Sequence, residues 1–265
     1  MLALIKGSGR LPELVAQRLT EQGKPPLICA IDPAEAAPHH VSLGTLGTLL
    51  GHLREAGVTE ICMAGAIDRT KLVMGAPDAA TQPLVPALTR ALRAGDGQAL
   101  AHLHDLFEQQ GFVIRAAQEI CPDLLPSAGV LSVAAPGKAN QDDAARAAQV
   151  LSILGQADIG QACVVEQGQV LAVETLPGTD DMLAQAARFR AAQGWGQGGV
   201  FFKAPKPGQD MRSDLPTIGI QTARAVVQAR LAGIVIEAGG VMVLDRETLT
   251  DILDAAGAFL WVRDR

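Results

Sequence analysis

The chain has 265 residues, 48% hydrophobic and 19% charged, with a formal net charge of −6. That balance speaks against disorder, and the negative charge speaks against a general nucleic-acid-binding role. Tyr is absent and aromatics make up 3%, too few for base-stacking platforms.

At this length two domains are the natural expectation. Leu2 to Ile5 reads as a short apolar strand. Gly7-Ser8-Gly9 then turns into a helix with Leu11, Leu14, Val15 and Leu19 on one face, stopped near Gly23. Pro26 to Ile31 reads as a second strand, and Leu46, Leu49, Leu50 and Leu53 follow helical spacing up to Gly57. Val58 to Ala64 is a third strand, leading into Gly65-Ala66-Ile67-Asp68-Arg69. Two helices follow, one with Val85, Leu88 and Leu92, the other with Leu100, Leu103 and Phe107, and then a strand at Phe112 to Arg115. This order predicts an α/β fold whose N-terminal domain, 1–128, is a Rossmann-like parallel sheet covered by helices.

Pro122, Pro126 and Pro136 punctuate the boundary to a second domain, 129–265, with a different rhythm. Gln141 to Leu154 looks helical, and Ala162–Glu166 with Val170–Glu174 flank a Gln-Gly turn as a hairpin. Thr179 is read as an N-cap, with Asp180 and Asp181 in the first helical turn. A strand at 199–204, a helix from about Pro216, strands at 234–237 and 241–244, a helix from Arg246 to Ala256 and a closing strand at 258–262 make this a mixed α+β domain.

The segment FFKAPKPGQDMRSDLPTIG, 201–219, is the richest in chemistry. Lys203, Lys206 and Arg212 lie near one carboxylate, Asp214, and Pro216 and Thr217 are read as opening a helix. Three cations beside an acid at a helix N-terminus suit a phosphate ester. The plain alternative is a Pro-rich surface loop with solvated lysines.

Other signals are narrower. The Gly7-Ser8-Gly9 loop joins strand to helix, so its amides are candidates to face a phosphate, but position 12 is Pro where a dinucleotide fingerprint has Gly. Arg69 follows a strand end, where α/β sheets place ligands. His102 and His104 lie two apart in a predicted helix and point in different directions, so they are read as surface or partly buried residues. GxSxG, HExxH and GxxxxGKS are all absent. What remains is carboxylates without histidine, Glu174, Asp180, Asp181, Asp210, Asp214, Glu237 and Asp245, a donor set that suits Mg²⁺ shared with substrate phosphates. Cys29, Cys62 and Cys163 sit in apolar runs as buried thiols, which fits a reducing compartment. The opening MLALIKGSG has too short an apolar run for a signal peptide, and no run approaches a membrane span, so a cytoplasmic chain is expected.

Five pieces together carry a resemblance: GSGRLPELV at 7–15, AGAIDR at 64–69, DIGQACVVEQGQVLAVETLPGTDDML at 158–183, KAPKPGQDMRSDLPTIG at 203–219 and AGIVIEAGGVMVLDRE at 232–247. In these the chain resembles the LpxI family, the UDP-2,3-diacylglucosamine pyrophosphatases of lipid A biosynthesis, along its whole length. The resemblance implies Mg²⁺-dependent hydrolysis of the substrate's pyrophosphate to UMP and 2,3-diacylglucosamine 1-phosphate (lipid X), with water attacking the phosphorus on the sugar side. It implies two domains, with product held between them. The aspartate of the DLPTIG motif is the family's essential acid and maps to Asp214, as metal ligand or as base. Lys203 and Lys206 join it as catalytic candidates, and Gly7, Gly9, Leu11, Arg69, Gly178, Thr179, Asp180, Arg212 and Thr217 as substrate contacts. Two positions depart from the family's pattern: Gly97 stands where a second acid after Asp96 is expected, and Thr70 where a proline often follows the arginine.

The expected partner is therefore a lipid-linked sugar nucleotide, with transient contact at the inner-membrane surface, no nucleic acid, and a homodimer left open. Two rival readings stay beside it. A nucleotide-sugar oxidoreductase would need tight NAD(P) binding by the first domain. A non-catalytic sensor of a phosphorylated lipid or nucleotide would bind without turnover.

Overall fold

The computed structural model describes residues 1–32, 35, 37–67, 74–94, 96–212 and 215–264. The chain divides into two compact units. The first comprises Met1–Pro122 together with a short segment beginning at Asp210, and the second comprises Asp123–Gln209 and Leu215–Arg265.

The first unit runs β1 (Leu2–Lys6), α1 (Leu11–Glu21), β2 (Leu27–Ala30), β3 (His39–His40), α2 (Leu46–Glu55), β4 (Glu60–Ala64), α3 (Val85–Arg93), α4 (Asp96–Gln109), β5 (Val113–Ile114) and α5 (Ala117–Ile120). Its five-stranded sheet has the order β3-β2-β1-β4-β5 and every pairing is parallel. Alternation along each strand divides the side chains between two faces. Ala3, Ile5, Ile61 and Met63 meet Leu46, Leu50 and Leu53 of α2, Leu88 of α3 and Leu106 and Phe107 of α4 in one buried cluster. The opposite face, with Leu4 and Cys62 at 0% exposure, is covered by α1 and α5. This is the α/β reading of the N-terminal half, with a Rossmann-like strand order.

The second unit runs β6 (Gly129–Val130), α6 (Lys138–Gln156), β7 (Ala162–Glu166), β8 (Gln169–Val173), α7 (Thr179–Gln193), β9 (Val200–Lys203), β10 (Thr217–Ile218), α8 (Ile220–Gln228), β11 (Gly233–Glu237), β12 (Met242–Val243), α9 (Arg246–Ala255) and β13 (Phe259–Arg263). Six strands form a mixed sheet in the order β6-β13-β11-β9-β7-β8. Strands β13, β11 and β9 are parallel, whereas β6, β7 and β8 add antiparallel pairings. One face packs Val164, Phe201, Ile234 and Leu260 against Met182, Leu183 and Ala186 of α7, Ala223 and Val226 of α8, and Leu249 and Leu253 of α9. The other packs Cys163, Val165, Phe202 and Val235 against Ala144, Ala147 and Leu151 of α6.

The β7–β8 hairpin forms where the Gln-Gly turn predicts it. Gln167 and Gly168 take φ of 51° and 76°, the positive pair that a two-residue turn of matching twist requires. Both backbone amides donate to the buried Asp143 carboxylate of α6, at 3.2 and 2.7 Å.

Two elements differ from expectation. No helix opens at Pro216–Thr217: Thr217 and Ile218 are a short strand parallel to Met242–Val243, and α8 starts only at Ile220. Met242 donates its amide to the Pro216 carbonyl at 2.8 Å, and Leu244 to the Ile218 carbonyl at 2.9 Å. The β-branched pair favours extended backbone, and a partner strand outweighs the helix-opening tendency of Pro. The second difference is at Thr179, which is not the N-cap of α7. Gly178 holds that position with φ 88°, and Thr179 is the first helical residue.

Candidate active site

In an open parallel sheet, ligands sit beyond the carboxyl ends of the strands where the winding direction changes. In the first unit that place is between β1 and β4, whose last residues Lys6 and Ala64 are in register. The two loops here are joined by backbone. Gly7 donates its amide to the Ala64 carbonyl, and Ser8 and Ala66 exchange amide–carbonyl bonds, each at 2.9 Å. A Cβ on Gly7 would lie 2.6 Å from the Ala66 oxygen, and one on Gly65 2.6 Å from the Ser8 oxygen. Gly7 and Gly65 are therefore required by the closeness of two backbones. The Gly7 and Ser8 amides are occupied within the unit, which weakens the dinucleotide-binding reading further. Gly9, with φ 99°, opens onto free space, and Leu11 begins α1. Arg69 lies outside the described residues.

The corresponding region of the second unit is built differently. Lys203 ends β9 with 5% exposure and donates from Nζ to Thr179 Oγ1 at 2.8 Å. Gly178 places Thr179 and Asp180 in the first turn of the 15-residue α7, where the helix dipole favours anions. Glu174 follows β8, and its amide donates to the Ala162 carbonyl at 2.8 Å. Ala162 is in register with Lys203 in β9, and Lys203 with Ile236 in β11. Glu174, Ala162, Lys203 and Ile236 thus form one row across the sheet, on the face covered by α7. Burial pushes the Lys203 ammonium below the usual lysine value, with Glu174 and then Asp180 acting in the opposite sense. Gly160 locks this corner: at φ 57°, a Cβ there would lie 2.0 Å from the Glu174 carbonyl oxygen.

The three cations of the 201–219 segment each have partners of their own. Besides the contacts of Lys203, Lys206 Nζ pairs with Asp158 Oδ1 at 2.6 Å, while its amide donates to Gln209 Oε1 at 2.8 Å. Arg212, in the first unit, bonds through Nε and Nη2 to Asp210 and through Nη1 to Glu108 Oε1 at 2.7 Å. Among the described residues, Lys203 thus bonds to a threonine hydroxyl, Lys206 to Asp158, and Arg212 to Asp210 and Glu108. Asp214 itself lies outside the described residues. Thr217 is half-buried in β10.

Glu174 stood among the carboxylates that the sequence offers for a metal, but its place in one row with Lys203 carries no local signal. Sequence reasoning missed the setting of His104. Read as a surface or partly buried residue, His104 is wholly buried on α4, with Nδ1 3.0 Å from Asp210 Oδ2. Arg212, and to a lesser extent His104, holds the Asp210 carboxyl well below the usual carboxylate range. Gln118 Nε2 donates to the Met211 carbonyl at 2.6 Å, so residues 210–212 are held at each position. The only early signal for this was the i, i+4 placement of His104 and Glu108 on one helix face.

The cysteines are buried free thiols. Burial pushes Cys62 and Cys163 up to about 12 and Cys29 to about 11, so none of these three is an activated nucleophile. Among the described residues, no three His, Cys, Asp or Glu side chains converge as a metal site, and no helix is long and apolar enough to cross a membrane.

The chain is a two-unit α/β protein whose second unit holds a buried lysine and a hydroxyl at a helix N-terminus, groups with the chemistry to attract an anion. The family is given by comparison. Residues 1–124 match the LpxI N-terminal domain and residues 127–261 the LpxI C-terminal domain. The chain is 37% identical over 268 residues to the UDP-2,3-diacylglucosamine pyrophosphatase LpxI of Caulobacter vibrioides, covering 98% of this chain and 96% of that one. The chain belongs to the LpxI family.

Proposed function

We propose that this protein is a hydrolase of UDP-2,3-diacylglucosamine in lipid A biosynthesis, releasing UMP and 2,3-diacylglucosamine 1-phosphate. The observation that carries the proposal is the buried Lys203 ammonium hydrogen-bonded to Thr179 at the start of α7. It is supported by family membership over nearly the whole chain.

The pyrophosphate bridge carries two negative charges, and cleavage concentrates further charge on the departing UMP. A charged donor already placed where that charge develops lowers the barrier without reorganisation. Lys203 is such a donor, fixed by Thr179 and shielded from water. The first-turn amides after Gly178 add dipolar attraction for a phosphoryl oxygen. Lys206 and Arg212 are proposed to contribute charge as well. In the balanced reaction, the oxygen of water bonds to the sugar-side phosphorus, the bond to the bridging oxygen breaks, and that oxygen leaves with UMP.

Mg²⁺ is proposed as the cofactor. It binds through one or two carboxylates together with substrate phosphates, so a single protein acid, Asp214, with phosphoryl oxygens is a chemically suitable donor set. When bound it would supply Lewis-acid polarisation of the phosphoryl group. The roles of Gly7, Gly9, Leu11, Arg69, Asp180 and Thr217 as substrate contacts rest on the resemblance. So does transient association with a membrane surface, where a diacylated substrate resides.

The test is UMP release from UDP-2,3-diacylglucosamine with Mg²⁺ in water enriched in ¹⁸O. Wild type should turn over and place the label in the sugar phosphate, and Asp214→Ala should lose nearly all activity. Label in UMP would refute attack at the sugar-side phosphorus. Folded wild type without turnover would refute the enzymatic assignment.

A further inference from the structure

We propose that Glu174 is a positioning residue that acts through Lys203, supplying the buried counter-charge that keeps this ammonium group charged and in place. The inference rests on the role given to Lys203 above.

A buried ammonium without a counter-charge is costly, by several kcal/mol even after relaxation. Lys203 makes its hydrogen bond to a neutral hydroxyl, Thr179 Oγ1, which orients it but brings no charge. The compensating charge has to come from another group. From α7, the charged group acting on Lys203 is Asp180; from the end of β8, it is Glu174. The neighbours in register on β7 and β11, Ala162 and Ile236, carry no charge.

Between the two acids, burial decides. Asp180 is exposed on the first turn of α7, so water and salt screen its field. Glu174 is 9% exposed, and its field reaches Lys203 with far less screening. One strand separates them in the row Glu174–Ala162–Lys203. At about 4.8 Å per strand spacing, the two backbones are roughly 10 Å apart, a span that two long side chains reach across. Glu174 Oε2 is buried with no hydrogen-bond partner among the described residues. A carboxylate oxygen kept dry without such a partner is rare in a folded protein and calls for a reason. Service as a fixed charge for Lys203 supplies one. Gly160, against the Glu174 carbonyl, fixes the backbone from which that charge is presented.

The titration of Lys203 tests this without reference to catalysis. Protein labelled with ¹³C at lysine Cε would be followed by NMR across pH, with the Lys203 signal assigned by its loss in Lys203→Arg. In Glu174→Gln the midpoint should fall by about one pH unit or more, a roughly tenfold gain in neutral amine at fixed pH. Asp180→Asn should move it less. Glu174→Asp, which keeps the charge, should hold it near wild type. If Glu174→Gln does not fold, Glu174→Met carries the same expectation. A Lys203 midpoint that stays at its wild-type value once the Glu174 charge is gone overturns the proposal, as does a larger shift from Asp180→Asn. In turnover of UDP-2,3-diacylglucosamine, the alkaline limb of kcat/KM should move to lower pH by the same amount in Glu174→Gln and recover in Glu174→Asp. An unmoved limb would equally overturn it. If wild type does not hydrolyse this substrate, the functional assignment fails while the NMR titration still decides whether Glu174 and Lys203 are coupled.

Discussion

The two units use the carboxyl ends of their parallel strands in opposite ways. In the first, the loops after β1 and β4 spend their amides on one another, through Gly7, Ser8 and Ala66. In the second, the end of β9 holds a buried lysine, which bonds to a threonine hydroxyl at the start of α7 and shares its row with a buried carboxylate after β8. A glycine-rich strand–helix turn signals close backbone approach, and the thing approached can be another loop as readily as a phosphate. On the proposed function, the chemistry gathers where side chains, rather than glycines, occupy the strand ends.

The sharpest way to break this comparison is Lys203→Met. Removing one preorganised donor to developing charge costs about 10²–10³ in turnover, or about 2.7–4 kcal/mol. Lys203→Met should therefore lose at least a hundredfold in kcat while retaining its secondary structure by circular dichroism. Near-normal turnover in a folded variant would move the catalytic charge away from β9.

The reverse prediction concerns the first unit, where the substitutions should damage stability. Gly65 combines φ 94° with a Cβ position 2.6 Å from the Ser8 oxygen and 2.7 Å from Pro12 Cγ. Gly65→Ala meets both backbone strain and overlap, and should destabilise by about 3 kcal/mol. Gly7 faces the Ala66 oxygen at 2.6 Å without a positive φ, so Gly7→Ala should cost less. Urea unfolding of both variants checks the order. Equal losses would mean that the positive φ at Gly65 contributes little.

Much of this was legible beforehand. Period-two and helical spacings located most strands and helices, because their apolar faces are continuous in sequence. The Gln167-Gly168 turn was readable because its chemistry is local. The start of α8 was not, since Thr217–Ile218 takes its strand partner from Met242–Val243, more than twenty residues on. The surroundings of Glu174 and His104 were hidden for the same reason. Each matters through what the fold sets beside it: Lys203 across a strand for one, Asp210 more than a hundred residues away for the other.

The cluster around Asp210 gives the smallest expected effect and the clearest sign. Its carboxyl is depressed chiefly by Arg212 and further by His104. A group with a lowered folded value contributes stability that is fully present above its ordinary value of 3.8 and is lost as pH falls through the folded value. Asp210→Asn should therefore be less stable than wild type at neutral pH, and the gap should narrow steadily below about pH 4. Arg212 is 41% exposed, so solvent screening holds the neutral-pH loss to the order of 1 kcal/mol. Chemical unfolding at pH 7 and pH 3 separates the outcomes. A gap that stays constant between them would assign the loss to packing around the wholly buried His104 ring instead of to charge. A gap that is narrower at pH 3 would show that residues 210–212, just before Asp214, are held electrostatically.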